Sequence, residues 1–357
     1  MKMIWVLPLL LMMAVQKGAP TPNPLVYVSG YGEQIALFRL DMTSGALQPH
    51  GTAAGGGSSP SYLAWDPPPR HLYALQEQSA GRIVSYSITP TGTLTRINDA
   101  SSGGNGPAHV SVHRSGKWVL SANYGDGRVA VLPILANGGV GEPVFTDNPV
   151  PKNAHQIIED PSGKFVFVPC TGPNVILQYR IDGKTGKLTP NTPFRVPGDG
   201  EPRHLAFHPG GKYAYAINEA GLSVTSFLYD KRAGTLSSPE TLAAAPAGAR
   251  GSGAHIAVHP SGRFVYASLR GPNHIAVFDV NAATGRLTQI VNETGGGVIS
   301  TPRDFTIDPT GQFLLVANQG SDSVTVFRVN AADGRLTIVG TTPTVPKPAF
   351  VGVLPRR

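Results

Sequence analysis

Histidine and arginine side chains occur at one fixed distance before a recurring turn. His155, Arg203 and Arg303 each stand six residues ahead of a proline, at positions 161, 209 and 309, and His204 follows Arg203 directly. A histidine can act as a general base near neutral pH, and guanidinium groups bind anions and stabilise a developing oxyanion. If the fold brings these positions together, they predict a hydrolytic pocket for an anion.

These residues are about 50 positions apart because the chain repeats itself. Each repeat has a short alternating strand, then the phrase Pro-x-Gly-basic-aromatic, then a second strand. Equivalent positions of the phrase are 69, 116, 163, 211, 262 and 311, at intervals of 47 to 51 residues. The phrase and its weaker copies are Asp160–Phe165, His208–Tyr213, His259–Phe264, Asp308–Phe313, His113–Trp118 and Asp66–His71. Periods of this size with several short strands per repeat indicate a β-propeller.

The number of strands predicts how the ring closes. In the fifth repeat the four strands are expected at Ala254–Val258, Phe264–Ser268, His274–Val280 and Arg286–Ile290. The first strands are expected at Ser61–Trp65, Ala108–Val112, His155–Glu159, Arg203–Phe207, Ala254–Val258, Arg303–Ile307 and Ala349–Val353. The last of these lacks a second strand, whereas Leu25–Ser29 is a second strand that lacks a first. We therefore predict an all-β fold, a seven-bladed β-propeller of four-stranded antiparallel blades, whose N- and C-terminal strands share one blade and remove the exposed edges.

Composition excludes several other classes. The 43 glycines and 33 prolines are together 76 of 357 residues, too many for a helix-rich enzyme. The single cysteine, Cys170, cannot form an internal disulfide or a cysteine-rich metal site, and we expect it to be buried and inert. A net charge of +7 without a basic run argues against a nucleic-acid partner, and none is expected. No cofactor and no metal are expected, and the chain is expected to be a monomer.

The N-terminus has the pattern of a secretory leader. Lys2 precedes an uncharged apolar run, Met3–Val15, which is shorter than the roughly 20 apolar residues of a membrane span. Residues 1–20 are therefore expected to be a signal peptide, and residues 21–357 a single propeller domain without a membrane span. The protein is then periplasmic or extracellular. The alternatives are a retained N-terminal anchor, or a cytoplasmic protein if the leader is not a signal.

The candidate site lies where first strands begin and second strands end. At the start of the first strands, one position holds Ser61, Ala108, His155, Arg203, Ala254, Arg303 and Ala349, and the next holds Tyr62, His109, Gln156, His204, His255, Asp304 and Phe350. At the ends of second strands stand Asn123-Tyr124, Asn218-Glu219, Leu269-Arg270 and Asn318-Gln319. We expect His155, Arg203, His204, Glu219, Arg270 and Arg303 to converge around one mouth. The alternatives are that they fill a solvated channel and pair with one another, or that the histidines bind a metal.

Histidines at the opposite end have a structural interpretation. His113, His208 and His259 share their position, just before the turn, with aspartates in other repeats. A residue that recurs in equivalent positions of a repeat is expected to serve the fold. These three side chains should bond turn backbone or water.

Several phrases are similar to those of a known family. They are Ala122-Asn123-Tyr124 with Gly127, Gly200–His204 with Phe207-His208-Pro209, Asn218-Glu219, Pro302–Phe305 and Ala317–Gln319. Over residues 25 to the end, the chain resembles the lactonase family of seven-bladed propellers. That family includes bacterial 6-phosphogluconolactonases and the fungal carboxy-muconate cyclase. By this resemblance, the proposed site residues of the cyclase fall on His155, Arg203, Glu219 and Arg270.

The resemblance implies a hydrolase that opens a small anionic sugar-acid lactone. His155 or Glu219 would be the general base, and Arg203 and Arg270 would hold the substrate anion and the oxyanion. Substrate-binding positions are expected at His204, Arg303, Asn123, Tyr124, Asn218 and Gln319. Two alternatives remain open: an exported propeller that binds a ligand or partner protein without catalysis, and an enzyme that forms a lactone ring as the cyclase does.

Overall fold

The computed structural model describes residues 23–150 and 152–355, which form seven four-stranded antiparallel sheets. The predicted leader, residues 1–20, lies outside the described residues. In chain order the strands are β1 (Leu25–Gly30), β2 (Gln34–Leu40), β3 (Leu47–Ala54), β4 (Leu63–Trp65), β5 (His71–Gln76), β6 (Arg82–Ile88), β7 (Leu94–Ser101), β8 (Pro107–Val112), β9 (Trp118–Asn123), β10 (Val129–Pro133), β11 (Phe145–Asp147), β12 (Ile158–Glu159), β13 (Phe165–Cys170), β14 (Val175–Ile181), β15 (Leu188–Pro197), β16 (Pro202–Phe207), β17 (Tyr213–Asn218), β18 (Ser223–Asp230), β19 (Thr235–Ala243), β20 (Ser252–Val258), β21 (Phe264–Arg270), β22 (His274–Val280), β23 (Leu287–Glu293), β24 (Pro302–Ile307), β25 (Phe313–Asn318), β26 (Ser323–Val329), β27 (Leu336–Pro343) and β28 (Pro348–Val353). The predicted seven-bladed propeller is confirmed. Within the described ranges, no helix is long and apolar enough to cross a membrane.

The two ends of the chain share one blade, as predicted. β28 pairs antiparallel with β1, with Val353 opposite Val26 and Val351 opposite Val28, and the sheet order is β28-β1-β2-β3. The inner strand of this blade therefore comes from the C-terminus and its other three strands from the N-terminus. This pairing satisfies the backbone groups of both terminal strands and leaves no open edge at the junction.

Turns and histidines tie neighbouring blades together at the end away from the predicted mouth. Gly311 of the Pro-x-Gly turn has φ +75°, a conformation that favours glycine, and a Cβ there would lie 2.5 Å from the His259 ring. His259 Nε2 bonds the Gly311 carbonyl oxygen at 2.9 Å, and His208 and His113 bond the carbonyls of Gly262 and Gly163 in the same way. The predicted structural role of the three histidines is confirmed.

The hydrophobic core lies between blades, where each sheet packs on the next. Tyrosines of the second strands also link the blades by hydrogen bonds, since their buried hydroxyls donate to glycine carbonyls of another blade. Tyr215 donates to Gly285 at 3.0 Å, and Tyr266 donates to Gly334 at 2.8 Å. Cys170 is fully buried, and burial raises the pKa of its thiol to about 12, which is consistent with the expected inert role.

Some predicted strand limits were wrong. The strand expected at His155–Glu159 is only Ile158–Glu159, and that expected at Ser61–Trp65 is only Leu63–Trp65. The first case has a clear cause, because β13 carries Pro169 opposite the start of this strand. A proline has no N–H to donate to the ladder, so only the bond from His155 N to the Pro169 carbonyl is made there, at 2.9 Å. The fourth strand expected at Arg286–Ile290 runs from Leu287 to Glu293.

Candidate active site

A narrow pocket opens at the mouth of the central channel, at the end opposite the Pro-x-Gly turns. Its walls come from the starts of first strands and the ends of second strands in several blades. The lining residues are Ser61, Tyr62, Glu77, Ala108, His155, Arg203, His204, Arg303, Asp304 and Ala349. Four of the six residues expected to converge therefore line this pocket, and Glu219 and Arg270 join it through ion pairs.

Arg203 lies at the start of β16, with only 2% of its surface exposed. Its Nη1 donates to the Ala254 carbonyl oxygen, and its Nε lies 3.9 Å from Glu219 Oε2, too far for a hydrogen bond. Burial, together with the positive charges of Arg270 and Arg303, lowers the pKa of Arg203 to about 9. Its charged form is therefore short of partners inside the protein, which favours binding of an anion beside it.

Glu219 and Arg270 form the adjacent wall. Arg270 Nη2 donates to Glu219 Oε1 at 2.6 Å and to the Gly253 carbonyl at 3.1 Å. Arg270 Nε is buried and has no hydrogen-bond partner, as is also true of Arg203 Nε. Burial lowers the pKa of Arg270 as well. The two guanidinium groups thus each keep one buried N–H for another acceptor, and a carboxylate fixes the orientation of that of Arg270.

His155 is a buried histidine beside these arginines. The Tyr124 ring packs edge-on at a centroid distance of 5.5 Å, and the His204 ring lies at 5.2 Å. Burial and the charges of Arg203, Arg303 and Arg270 hold the His155 pKa well below its usual range, so the ring is neutral at neutral pH. Its Nδ1 is buried and has no hydrogen-bond partner. A neutral imidazole can accept a proton at a free ring nitrogen.

Sequence reasoning missed Tyr31 and Glu77. The guanidinium carbon of Arg303 lies 5.2 Å from the centre of the Tyr31 ring, and the Glu77 carboxylate lies close to the Tyr31 hydroxyl. Burial raises the pKa of Tyr31 to about 12, so this hydroxyl stays protonated. Both residues directly follow a second strand, β1 or β5, as Tyr124 and Glu219 follow β9 and β17. Extending that comparison to all seven repeats would have found them.

Two predicted substrate-binding residues serve their own blades. The Asn123 side chain is buried, donates to the carbonyls of Ser102 and Arg128, and accepts from Ser102 Oγ at 2.7 Å. Asn218 Nδ2 donates to Ser223 Oγ and Thr225 Oγ1, both at 2.9 Å. Asn318 repeats the Asn218 pattern in the next blade but one, donating to Ser323 and Thr325. These asparagines hold strand ends together.

The other two predicted positions, Tyr124 and Gln319, lie at the rim, and Tyr124 is 37% exposed. A wider groove of about 520 Å³ lies between the second and third repeats, lined in part by Arg82 and Arg128. Both arginines are half exposed and already face carboxylates, those of Asp99 and Asp126. Ion pairs between exposed side chains contribute little free energy, and no histidine lines the groove. For these two reasons we take the mouth, and not the groove, as the candidate site.

The metal alternative finds no support among residues 23–150 and 152–355. No group of three or more histidine, cysteine, aspartate or glutamate side chains there is placed to hold a metal ion. The channel histidines come from different blades and contact one another through ring edges and single nitrogen atoms. This geometry does not converge on a tetrahedral centre.

Comparisons with known proteins give a consistent result. A family model described as "Lactonase, 7-bladed beta-propeller" matches residues 25–353. The 6-phosphogluconolactonase of Bacillus subtilis (strain 168) is 34% identical over 293 residues, covering 78% of this chain and 82% of that protein. That of Pectobacterium carotovorum subsp. carotovorum is 34% identical over 270 residues, covering 74% and 79%. The solved structure of the periplasmic gluconolactonase of Pseudomonas aeruginosa superposes with a TM-score of 0.85 at 28% identity, covering 92% of this chain and 98% of that one.

Proposed function

Because this chain belongs to the lactonase family of seven-bladed β-propellers, we propose that it is a hydrolase that opens a small anionic sugar-acid lactone at the mouth of its channel. The family predicted from sequence phrases is confirmed by the match over residues 25–353. The relatives from Bacillus and Pectobacterium are 6-phosphogluconolactonases, and the Pseudomonas neighbour is a gluconolactonase. A lactone of an aldonic acid, with or without a phosphate, is the substrate class that fits all three.

The charge of the mouth supports an anionic substrate. Three guanidinium groups, those of Arg203, Arg270 and Arg303, face two carboxylates, those of Glu77 and Glu219. Burial raises the pKa of Asp304, which lines the same pocket, to about 7. With His155 neutral and Asp304 in its acid form, the balance is one positive charge in a buried setting where charges interact more strongly than in water. An anionic group of the substrate removes this excess and supplies acceptors to the unpartnered N–H groups.

The reaction we propose is direct hydrolysis by water. A ring nitrogen of His155 takes a proton from water as the water oxygen attacks the lactone carbonyl carbon. The carbonyl oxygen becomes an oxyanion, which accepts hydrogen bonds from Arg203 and Arg270. When the tetrahedral intermediate collapses, the bond between the carbonyl carbon and the ring oxygen breaks, and protonated His155 returns its proton to that oxygen. The product is an open-chain hydroxy acid, and the resting enzyme is restored.

Substrate binding itself would prepare His155 for this role. In the free site, the three arginines oppose protonation of the ring, which keeps it neutral but weakly basic. A bound anion offsets their field and raises the affinity of the ring for a proton. Glu219 is the alternative base, but its Oε1 is already held by Arg270 at 2.6 Å. The observation that carries the proposal is therefore the buried, neutral His155 with an unpartnered nitrogen among three guanidinium groups.

We also propose that residues 1–20 direct export and that residues 21–357 are the mature, monomeric propeller. The support is the sequence pattern of the leader and the periplasmic location stated for the Pseudomonas neighbour. Sequencing the N-terminus of protein recovered from its native host tests this. An intact leader on protein from the cytoplasm would contradict it.

The assay that tests the function measures acid release in a pH-stat, with spontaneous hydrolysis subtracted. The panel compares 6-phosphogluconolactone, gluconolactone and an uncharged lactone without hydroxyl groups. We expect turnover of a sugar-acid lactone, with kcat/KM at least tenfold higher than for the plain lactone. Binding of the product acid by calorimetry without any turnover would support the non-catalytic alternative. Ring closure of an unsaturated dicarboxylic acid without hydrolysis of the lactones would support the cyclase alternative.

A further inference from the structure

The mouth contains a second set of polar side chains, which takes no part in the bond-making steps proposed above. Its members are Arg303, Tyr31, Ser61 and Glu77, and they come from three successive blades, those of β24, β1 and β5. We call these four residues the Arg303 side of the mouth. The groups assigned to the reaction come instead from the blades of β12, β17 and β21. A substrate that reaches across the mouth therefore meets the Arg303 side with the end that does not react.

Arg303 is the arginine of the mouth whose guanidinium group has no hydrogen bond within the described protein. Arg203 and Arg270 both donate to oxygen atoms of the protein. The guanidinium group of Arg303 forms neither a hydrogen bond nor an ion pair with residues 23–150 or 152–355, and its carbon lies 5.2 Å from the centre of the Tyr31 ring. A guanidinium group stacked on an aromatic face keeps the N–H groups along its edge available. Arg303 can therefore bind both oxygens of a carboxylate.

Glu77 is held at the mouth by the same backbone bond as Glu219. The backbone N–H of Glu77 donates to the Ser59 carbonyl at 3.1 Å, and that of Glu219 donates to the Glu201 carbonyl at 2.7 Å. Ser59 and Glu201 both have a positive φ, of 61° and 67°. The two glutamates therefore occupy equivalent positions in two different blades, directly after the second strand.

The two glutamates differ in how their charge is balanced. Glu219 forms an ion pair with Arg270, with 2.6 Å between Oε1 and Nη2. Glu77 forms no ion pair within the described ranges, and its carboxylate lies close to the hydroxyl of Tyr31. Glu77 and Arg303 line the same pocket without pairing with each other. One carboxylate and one guanidinium group without an ion pair thus remain on the Arg303 side.

Ser61 adds a hydroxyl to the Arg303 side. It lines the same pocket, only 4% of its surface is exposed, and its Oγ has no hydrogen-bond partner. A buried hydroxyl without a partner costs free energy, which a ligand oxygen that accepts from it would offset. The Arg303 side therefore offers donors from Arg303 and Ser61 to an acidic group, next to the negative charge of Glu77.

The charges on the Arg303 side suit a group with one negative charge. A carboxylate there would match the single positive charge of Arg303. A phosphate monoester carries about 1.5 to 2 negative charges at neutral pH, so its second charge would face Glu77 without a cation of its own. Electrostatic energies scale with the charges, and a like charge built into a site is a common means of rejecting a competing ligand. Under the proposed function, Arg203 and Arg270 are occupied by the reacting carbonyl and are not available to the phosphate.

We propose that Arg303 and Ser61 bind a carboxylate at the end of the lactone remote from the reacting carbonyl, and that Glu77 disfavours a phosphate there. This inference rests on the proposed function, because it takes Arg203 and Arg270 as the groups that meet the reacting carbonyl. The substrate is then the lactone of a sugar diacid, with one acid group closed in the ring and the other free. Its hydrolysis product is the open-chain diacid.

Two pairs of lactones test this in the wild-type protein at pH 7.5. The γ-lactones formed by the first carboxyl group of glucaric acid and of gluconic acid differ only in a carboxylate that replaces a hydroxymethyl group. The δ-lactones of 6-phosphogluconic acid and gluconic acid differ only in the phosphate. We expect the carboxylate to raise kcat/KM by about tenfold or more, because it forms charged hydrogen bonds with Arg303, and the phosphate to give no increase. A phosphate that raises kcat/KM more than the carboxylate does would overturn the proposal.

The decisive variant is Glu77→Gln, which removes the charge and keeps the size of the side chain. It should raise the effect of the phosphate on kcat/KM by about tenfold and that of the carboxylate by a smaller factor, because repulsion grows with the charge of the ligand. Arg303→Gln should bring the effect of the carboxylate to within about twofold of none, since the guanidinium fork is lost. Each ratio compares two substrates on one preparation, so a general loss of active protein cancels.

Glu33→Gln is the matched control for the change of charge. Glu33 is an exposed glutamate two residues after Tyr31 and does not belong to the lining of the pocket. This variant should keep both wild-type ratios. If Glu77→Gln also leaves both ratios unchanged, the proposal is wrong.

A second measurement needs neither a variant nor turnover. Calorimetry with the wild type compares the open-chain acids, and we expect glucarate to bind about tenfold more tightly than gluconate, and 6-phosphogluconate no more tightly than gluconate. This order of affinities in a protein that opens no lactone would support the carboxylate subsite and contradict the proposed function. Lactone turnover with 6-phosphogluconate as the most tightly bound acid would support the proposed function and overturn the subsite.

Discussion

His208 and Arg203 lie at opposite ends of β16, and their polar atoms are used in opposite ways. At the turn end, His208 Nε2 bonds the Gly262 carbonyl at 2.9 Å, and His208 Nδ1 accepts from the backbone N–H of Gly210 at 2.9 Å. At the mouth end, Arg203 Nε is buried without a hydrogen-bond partner. Both residues belong to residue types that sequence reasoning selects as chemically active.

The two residues differ in whether their polar side-chain atoms have hydrogen-bond partners within the protein. This difference, and not the residue type, distinguishes a structural side chain from a candidate functional one. A buried polar atom without a partner costs free energy, so folds rarely keep one unless another role requires it. At the mouth this is seen for Arg203 Nε, Arg270 Nε and His155 Nδ1. At the turn end, the nitrogens of His259, like those of His208, are bonded to the protein. The mouth thus keeps buried nitrogen atoms without partners, whereas the turn end fastens one blade to the next.

The largest expected effect is loss of activity in Arg203→Ala. Loss of an oxyanion donor commonly reduces kcat by about 10²-fold or more, and lactone turnover should fall by at least that factor. The free energy of unfolding should change by about 1 kcal/mol or less, because the guanidinium group is disfavoured by burial and by neighbouring arginines. Turnover and urea denaturation of the same preparation check both statements. If Arg203→Ala kept full turnover and His208→Ala lost it, the active face would lie at the turn end of the propeller and not at the mouth.

A second large effect concerns acid stability and comes from the channel alone. Burial lowers the pKa of His109 and His255 to about 3 and holds the pKa of His155 and of His204 well below the usual range, so all four rings are neutral in the folded protein at neutral pH. The unfolded chain binds protons at these rings below about pH 6.5. Stability is therefore present above that pH and is lost as pH falls, by up to about 1.4 kcal/mol per pH unit for each ring. Burial raises the pKa of Asp304 from 3.8 to about 7, so this one group increases stability as the pH falls through that range. Its contribution opposes those of the four histidines but is that of a single group.

The variant that tests this is His109→Gln, measured by urea unfolding at pH 4.5, 5.5 and 6.5. The free energy of unfolding of this variant should decrease less steeply with falling pH than that of the wild type. The difference in slope is the contribution of one histidine. Tyr62→Phe is the control, because the Tyr62 ring packs on His109 at 4.3 Å but its hydroxyl does not titrate in this range. An equal slope in His109→Gln and the wild type would show that this ring is not kept neutral by the fold.

The sequence predicted the fold, and it placed the candidate site at one mouth of the channel, for one reason: the repeat supplies its own reference. The Pro-x-Gly phrase established the period, and comparison of equivalent positions separated His155 and Arg203 from residues that recur. The same comparison would have included Tyr31 and Glu77, had the first two repeats been examined at the ends of their second strands. It also placed Asn123 at the mouth, although its amide is bonded within the blade.

The close contacts of His255 with His204 and with Asp304 could not have been predicted in this way. His204, His255 and Asp304 occupy equivalent positions in three repeats, but whether their side chains touch depends on the local register. The ladders of these first strands contain irregularities, between Pro202 and His204 in β16 and between Pro302 and Asp304 in β24. Such irregularities re-aim a side chain toward or away from the channel. Periodicity alone does not contain this information.

A smaller effect is expected at the turn end, in His208→Ala. Loss of its bonds to Gly262 and Gly210 should lower the free energy of unfolding by about 1–2 kcal/mol, because a buried carbonyl loses its donor. Lactone turnover at saturating substrate should stay within about twofold of the wild type. Chemical denaturation and the pH-stat assay measure the two quantities. A stable variant with impaired turnover would remove the distinction between the two ends of the strand.

The smallest effect separates two adjacent residues, Asn123 and Tyr124. Tyr124→Phe keeps the ring that packs on His155 and removes only the hydroxyl, so a rise in KM of about twofold to fivefold with little change in stability is expected. Asn123→Ala removes the side-chain partner of Ser102 Oγ and of the Ser102 carbonyl, while the Arg128 carbonyl keeps its bond from the backbone N–H of residue 123. The variant should therefore lower stability by about 1–3 kcal/mol while KM stays near the wild-type value. Initial rates over a range of substrate concentrations, with melting curves for both variants, measure this difference. If instead Asn123→Ala raises KM without loss of stability, then an internally bonded side chain takes part in binding, and bonding within the protein is not a sufficient criterion for a structural role.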